Sequence, residues 1–396
     1  MTTQAVKTPV YLDYHATTPV DKRVFDAMHR YFCEEFGNAA SSEHRFGWMA
    51  EAAVKQARQT IAETLSARRP AEIIFTSGAT ESNNLAILGA MHANAHKGDH
   101  LISVVTEHKA VLDPCAFWAQ QGGRVTLLPV NRQGLIDLEA LEAAIDEGTV
   151  LISVMAANNE IGVLQDLNAI GALAKRRGVL FHTDAAQAAG KIPLDVEAMG
   201  IDLLSVSAHK FYGPKGVGAL YVRRRNPRVR LQPLLFGGGH EEGLRSGTLN
   251  VPGIVGMAKA LELAAAEMDA ESTRLAALRD RLWHQLQKTV ADIEISGCPE
   301  RRLPGNLHVR IADVEPEKLL TALKDVALSS RSACTSASQA PSHVMAALGL
   351  DRERLQAAVR FGLGRFTTEA EIDYVATRVA ETVGDLRREN TVGKNT

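Results

Sequence analysis

Cysteine is scarce in this chain: four residues in 396, at positions 33, 115, 298 and 334, with no CxxC pair among them. Closely spaced thiols are the raw material of zinc sites and dithiol redox centres, so neither is expected. The opening segment MTTQAVKTPVYLDYHATTPV has no apolar core behind a basic start, and so does not read as a secretory leader. No stretch approaches the roughly 20 apolar residues that cross a bilayer. The expectation is a cytoplasmic protein without structural disulfides, in which Cys33, Cys115 and Cys298 are small buried hydrophobes. Net charge is also nearly absent, at a formal −2, so no global field draws the chain to a membrane or to nucleic acid. The run Arg223-Arg224-Arg225 is expected as a solvated turn. There is no internal repeat or low-complexity linker, no GxGxxG after a strand and no Walker lysine, which sets a nucleotide site aside.

What is present is an ordinary globular mixture, 45% hydrophobic and 23% charged, on a chain longer than a single core usually serves. Short apolar runs at Ile73–Phe75, Leu101–Val105, Val125–Leu128, Val150–Met155, Val179–His182, Leu203–Val206 and Val217–Val222 alternate with amphipathic stretches such as Leu138–Ile145 and Leu167–Arg177. This alternation predicts an α/β domain around a largely parallel sheet, whose ligands gather at the carboxyl ends of the strands. From about Gly256 to Thr289 the chain is rich in Ala, Leu, Glu and Arg, which predicts one long helix joining two domains. Strands near 293–295, 306–311 and 326–329 and helices near 316–325, 342–348 and 369–387 then predict a smaller α+β domain. The extended Val10–Leu12 is expected to return to it. The division is 19–260 for the large domain, and 1–18 with 261–396 for the small one.

Polar side chains cluster where the strands end. Ser207, His209 and Lys210 follow the strand at 203–206, and Gly213 and Pro214 then stop it. A lysine just off a buried strand is partly desolvated, which makes its amine an imine former; a lone lysine in a turn would read the same way. Asp184 ends the strand at 179–182, with Gln187 three residues on. A carboxylate there suits the pyridine nitrogen of pyridoxal 5′-phosphate (PLP), although a simple helix cap is the alternative. Phe75-Thr76-Ser77-Gly78-Ala79-Thr80 passes from strand through glycine into a helix, a turn that offers backbone N–H groups to an anion. His108 and Asn159 follow two further strands; an imidazole in that position can stack on a cofactor ring and shuttle protons. Cys334 differs from the other cysteines, lying in Ser329-Ser330-Arg331-Ser332-Ala333-Cys334-Thr335-Ser336. So small and polar a run suits a loop, and a neighbouring cation favours a thiolate.

Taken in order, YLD with ATTP, FGN, SGATES, TEHKAV, NNEIG, HTDAAQAAGK, SAHKFYGPKG, GGGHEEGLRSGT, SACTSAS and RFGLGRF closely resemble the NifS/IscS-type cysteine desulfurases, class V aminotransferase relatives of PLP fold type I. The resemblance covers nearly the whole chain. It implies a large domain with a mostly parallel seven-stranded sheet and a smaller α+β domain. It further implies that Lys210 is the Schiff-base lysine, that Asp184 holds the pyridinium, that Gln187 bonds the ring hydroxyl, and that His108 stacks and moves protons. Ala79, Thr80, Ser207 and His209 would hold the phosphate, with Thr248 contributed by the partner of a homodimer. Asn159 would lie against the cofactor and, with Arg360, meet the substrate carboxylate. Cys334 would take sulfur from L-cysteine as a persulfide, releasing L-alanine, and pass it to a protein acceptor for iron–sulfur assembly or thiolation. No resident metal is implied, beyond a transient iron–sulfur cluster on Cys334.

The chain departs from the family pattern twice. Position 331 is Arg where the pattern has Gly, which stiffens the backbone and adds a cation beside the thiol. The chain also ends about 30 residues after Phe366, short of the longer tail with which housekeeping relatives dock an iron–sulfur scaffold. Rival readings are a desulfurase dedicated to DNA phosphorothioation or tRNA thiolation, a selenocysteine lyase, an aminotransferase for small amino acids, and a non-enzymatic sulfur carrier. Only the desulfurase readings require Cys334 for cysteine turnover.

Overall fold

The structure, a computed structural model, describes residues 6–329, 342–349 and 358–393; Arg331 and Cys334 lie outside the described residues. The chain begins with β1 (Val10–Tyr11), α1 (Lys22–Met28), α2 (Arg30–Cys33) and α3 (Arg45–Thr64). Then come β2 (Ile73–Thr76), α4 (Ala79–Ala93), β3 (His100–Val104), α5 (Lys109–Gln120), β4 (Arg124–Leu128), α6 (Leu138–Ala144) and β5 (Thr149–Ser153). The run closes with α7 (Leu167–Arg177), β6 (Leu180–Asp184), β7 (Leu203–Ser207) and β8 (Gly218–Val222). Strands β2 to β8 form one seven-stranded sheet in the order β2-β8-β7-β6-β5-β3-β4. Strand β8 is antiparallel to both its neighbours, β2 and β7, and every other pairing is parallel. The other six strands therefore run the same way and deliver their carboxyl ends to one edge.

The apolar runs divide by the two-residue period of a strand. Ile73, Phe75, Ile102, Val104, Ile152, Phe181 and Leu204 enter the core on one face of the sheet, while Ile74, Leu101, Leu151, Leu180 and Leu203 enter the core on the other. With both faces covered, the strands read as continuous hydrophobic runs and not as alternating ones.

Helix α8 (Val251–Thr289) starts five residues earlier than the sequence reading. Asn250 caps it by accepting the Gly253 N–H, and Pro252 sits harmlessly in its first turn. At 39 residues it is roughly 58 Å long, and it serves two cores. Ile254, Met257 and Leu261 pack beneath the large sheet, whereas Leu275, Leu278, Leu282 and Leu286 belong to a second core. Around that second core lie β9 (Ile293–Ile295), β10 (Asn306–Ile311), α9 (Pro316–Ala322), β11 (Val326–Ala327), β12 (Ala358–Gly362) and α11 (Glu369–Gly393), while α10 (His343–Ala347) packs through Val344 and Met345 on Ile161 and Val163. Strands β12, β10 and β9 form an antiparallel sheet. The N-terminal segment does return here, with β1 pairing parallel to β11 through Val10 and Val326.

Two expectations are overturned. Cys33 is exposed, because α2 is a single turn in which only Tyr31 is buried. The basic run is not a solvated turn: Arg223 is buried and paired with Glu197 and Asp202, and only Arg225 is fully exposed. The cause is that Arg223 directly follows β8 and still occupies its buried edge.

Central strands are also tied by a polar pin. His182 on β6 contacts Ser153 on β5 through Nδ1 at 2.8 Å and Ser205 on β7 through Nε2 at 3.0 Å. Burial pushes this imidazole down to about 3. Burial together with nearby arginines, Arg360 first, does the same to His308 on β10. Between pH 6.5 and these values the unfolded chain binds protons that the folded chain refuses, so stability is full above pH 6.5 and falls with pH below it. We expect urea midpoints to drop steeply from pH 6.5 to 4. In His182→Gln that slope should flatten by up to about 1.4 kcal/mol per pH unit, and an unchanged slope would show that the imidazole is not held neutral.

Candidate active site

A cavity of about 410 Å³ opens at the carboxyl edge of the large sheet. One strand end after another supplies its wall: Gly78 to Glu81 after β2, His108 after β3, Asn159 after β5, Asp184 at the end of β6, Ser207 at the end of β7, and His209 and Lys210 just after it. The N-terminal segment adds His15, Ala16 and Thr17, and β12 adds Arg360. Of the residues singled out from sequence, Ala79, Thr80, His108, Asn159, Asp184, Gln187, Ser207, His209, Lys210 and Arg360 all line this one space. Thr248 does not; it is exposed on the segment leading into α8. Cys334 lies outside the described residues.

At one end of the cavity, Gly78 adopts φ +152° and caps α4 without a side-chain bond, so the first N–H groups of a 15-residue helix face Ser207, His209 and Lys215. An uncapped helix N-terminus beside a lysine is a ready receptor for an anion. Asp184, in the same lining, is buried, its Oδ2 accepting from Asn83 Nδ2 at 2.7 Å and its Oδ1 from the Ala186 N–H at 2.9 Å. The helix-cap reading and the ring-partner reading thus share one carboxylate, which is steered by two donors and left facing the cavity. The amine of Lys210, in the single 3₁₀ turn after β7, donates to the carbonyls of His15 at 2.6 Å and Ala16 at 2.8 Å.

The histidines are tuned by burial. Burial lowers His108, helped by Lys210 and His343 and opposed by Asp184. The Ala110 N–H donates to its Nδ1 at 3.0 Å, so the neutral ring carries its proton on Nε2. His209 is pushed down to about 4 by burial and then by Lys210, Lys215 and Lys191. Its Nδ1 lies 3.1 Å from the Thr17 hydroxyl.

Arg360 is almost wholly buried, at 1% exposure. It donates from Nη1 to the Asn159 carbonyl and from Nη2 to Asp13 Oδ1, both at 2.7 Å. Sequence reasoning missed Asp13, His15, Lys191 and Lys215. Asp13 and His15 sit in a segment legible only as family pattern, but Lys191 follows Gln187 at the i,i+4 spacing that brings side chains together on one turn.

Glu107 lies beneath the cavity with no exposure. Its Oε1 accepts the Met155 N–H at 2.6 Å, and its Oε2 has no partner among the described residues. Burial pushes this carboxyl well above its ordinary range, with Asp184 adding to the shift. A carboxyl held neutral in the fold contributes fully below pH 4.5, and that contribution is lost as the unfolded chain ionises at higher pH. Glu107→Gln is therefore expected to gain thermal stability over the parent as pH rises from 4.5 to 8. Parallel pH curves for the two proteins would show the carboxyl to be ionised in the fold.

Three comparisons place these features among known proteins. The family model described as aminotransferase class-V matches residues 10–375. A cysteine desulfurase IscS from Anaeromyxobacter sp. (strain K) is 55% identical over 382 residues, which cover 96% of this chain and 94% of that protein. Among solved structures, a NifS-like protein superposes with TM-score 0.88 at 37% identity, covering 95% of this chain and 99% of its own. SspA in complex with cysteine does so with TM-score 0.80 at 38% identity, covering 91% and 100%.

Proposed function

This chain belongs to the class-V aminotransferase family, and from that premise we propose that it takes sulfur from L-cysteine onto Cys334, releases L-alanine and passes the sulfur to a protein acceptor. It has the fold type I architecture of its NifS-like neighbours, and it is a PLP-dependent cysteine desulfurase. The observation that carries the reading is the meeting of Lys210, Asp184 and the open N-terminus of α4 on one cavity.

The residues present fit the cofactor. The start of α4 with Ser207, His209 and Lys215 suits a phosphate, Asp184 a protonated ring nitrogen, and Lys210 a carbonyl carbon. When bound, PLP supplies an electron-withdrawing ring that makes the substrate Cα acidic. Lys210, released from the carbonyls of His15 and Ala16, is the base that moves the proton at that carbon. His108 lies over the site as a neutral ring with an Nε2 proton to donate. Asn159 and Arg360 hold the substrate carboxylate, the guanidinium offering a planar fork. Cys334 attacks the substrate sulfur as a thiolate. An S–S bond forms, the Cβ–S bond breaks with its electron pair left on carbon, and a proton taken up there, with the proton that Lys210 returns to Cα, completes alanine.

A homodimer is part of the proposal. The exposed Thr248 suits a site shared with a second copy, and Leu235 and Phe236, at 45% and 79% exposure, supply apolar surface nearby in sequence for that contact. No helix among the described residues is long and apolar enough to cross a membrane, which is consistent with a cytoplasmic enzyme. The nearly neutral net charge favours a protein sulfur acceptor over direct nucleic-acid binding.

Lys210→Ala is expected to lose the visible absorption of the bound cofactor. Cys334→Ala should keep that absorption while alanine and sulfide release from L-cysteine fall by at least about 10²-fold. Equal rates in Cys334→Ala and the parent would sink the persulfide step.

A further inference from the structure

Behind the wall of the cavity, one buried amide is held by three partners. Gln187 Oε1 lies 3.1 Å from Lys191 Nζ and 3.2 Å from His15 Nδ1, while Gln187 Nε2 donates to the His15 carbonyl at 2.8 Å. Reversing the amide would set its oxygen against that carbonyl and its NH₂ against the lysine amine, so the network determines the orientation. With the oxygen occupied and one N–H spent, the second N–H is the only polar bond that Gln187 can still offer the cavity it lines. We propose that Lys191 is a positioning residue of the cofactor site, locking Gln187 as a hydrogen-bond donor toward the cofactor's anionic ring oxygen.

Several features hold Lys191 in place. Gly190, at φ +71°, turns the chain where a Cβ would fall 2.8 Å from Ala264 Cβ and 3.1 Å from Phe211 Cβ. The Lys191 carbonyl accepts from Ser272 Oγ of α8 at 3.2 Å. Its far side faces a small cavity lined by Tyr14, Tyr212 and Glu271. The charged groups around it are Lys210 after β7, Arg360 on β12 and Glu271 on α8, with His15 held neutral by burial. Burial, then Lys210 and Arg360, push the Lys191 amine down to about 7, against the pull of Glu271. An amine so placed needs an acceptor, and Gln187 Oε1 lies in reach as one. A donor at the ring oxygen stabilises the more negative form of the bound chromophore and so lowers the pH at which it releases its proton.

The inference rests on the PLP reading above, and the test separates the two. Protein loaded with PLP is titrated with pH while its visible band is followed, for the parent, Lys191→Met, Gln187→Ala and the double variant, with thermal unfolding as a check on folding. The midpoint should rise by about one pH unit in Lys191→Met, and the double variant should shift no further than Gln187→Ala alone. If Lys191→Met does not accumulate folded, Lys191→Gln is titrated in its place under the same criterion. An unmoved midpoint in a loaded, folded lysine variant overturns the proposal, as do shifts that simply add in the double variant. A parent protein that binds PLP without any visible band removes the cofactor reading itself, and the positioning role with it.

Discussion

Everything about the cavity depends on burying one guanidinium. Arg360 on β12 is the largest fully buried side chain among the described residues, and removing such a cation from water costs several kcal/mol unless its hydrogens find partners. Two partners come from distant parts of the chain: Asp13, just after β1, and the Asn159 carbonyl, in the turn after β5. The strand that carries Arg360 is itself stitched to the N-terminal segment, Gly362 N donating to the Leu12 carbonyl at 2.7 Å and Tyr14 N to the Gly362 carbonyl at 3.1 Å. A Cβ at position 362 would lie 2.9 Å from the His15 ring and 3.0 Å from the Tyr14 nitrogen, so glycine permits the approach. The ion pair therefore brings the small sheet, the N-terminal segment and the large sheet to one point, and the cavity is the space enclosed there.

A consequence is that the charge around the cavity differs from the charge of the molecule. The chain as a whole is nearly neutral, at −2, yet Lys210, Lys215 and Arg360 line the cavity, with Lys191 just behind. Asp184 and Glu81 are the acidic residues among the lining, and Glu81 is already paired with Arg245 at 2.8 Å. The neighbouring imidazoles of His15, His108 and His209 stay neutral because burial and these cations disfavour further positive charge. The net field suits a ligand with two anionic ends, such as a phosphorylated cofactor carrying an amino-acid carboxylate. Close spacing of like charges is tolerated because helix and carbonyl dipoles, and the carboxylates of Asp13 and Asp184, are spread among them.

How much of this could be read in the sequence follows from the range of each interaction. The seven strands of the large sheet were legible to within about two residues at either end, because most of them are buried, continuous apolar runs. The strands at 293–295 and 306–311 match β9 and β10, and helix α7 keeps its bounds through the Asp166 cap and Gly178 in the left-handed region. Helices α1, α3 and α5 were not anticipated: α3 is long but only weakly apolar, and α5 carries Pro114 inside it. Strand β12 was seen only as the motif RFGLGRF, since its role is set by pairing with β10. Within the site, residues placed by local geometry were legible, namely Lys210, Asp184, His108 and Ala79. Asp13 was not, because its partner lies 347 residues away; Lys191 went unread although its i,i+4 spacing from Gln187 was a usable local signal.

The structural and proposed chemical roles of Arg360 need not compete. A guanidinium carries five N–H bonds, and the clamp to Asp13 and Asn159 uses one on each terminal nitrogen. The remaining terminal hydrogens and the Nε hydrogen, which has no partner among the described residues, leave the group short of saturation. A substrate carboxylate can therefore join without breaking either tether, and in doing so it offsets part of the desolvation that the empty guanidinium carries. The clamp also removes rotamer freedom before substrate arrives, so less ordering remains to be done on binding. Swapping Arg360 for lysine would keep the charge but not the fork, and would have to choose between holding the two sheets together and holding the substrate.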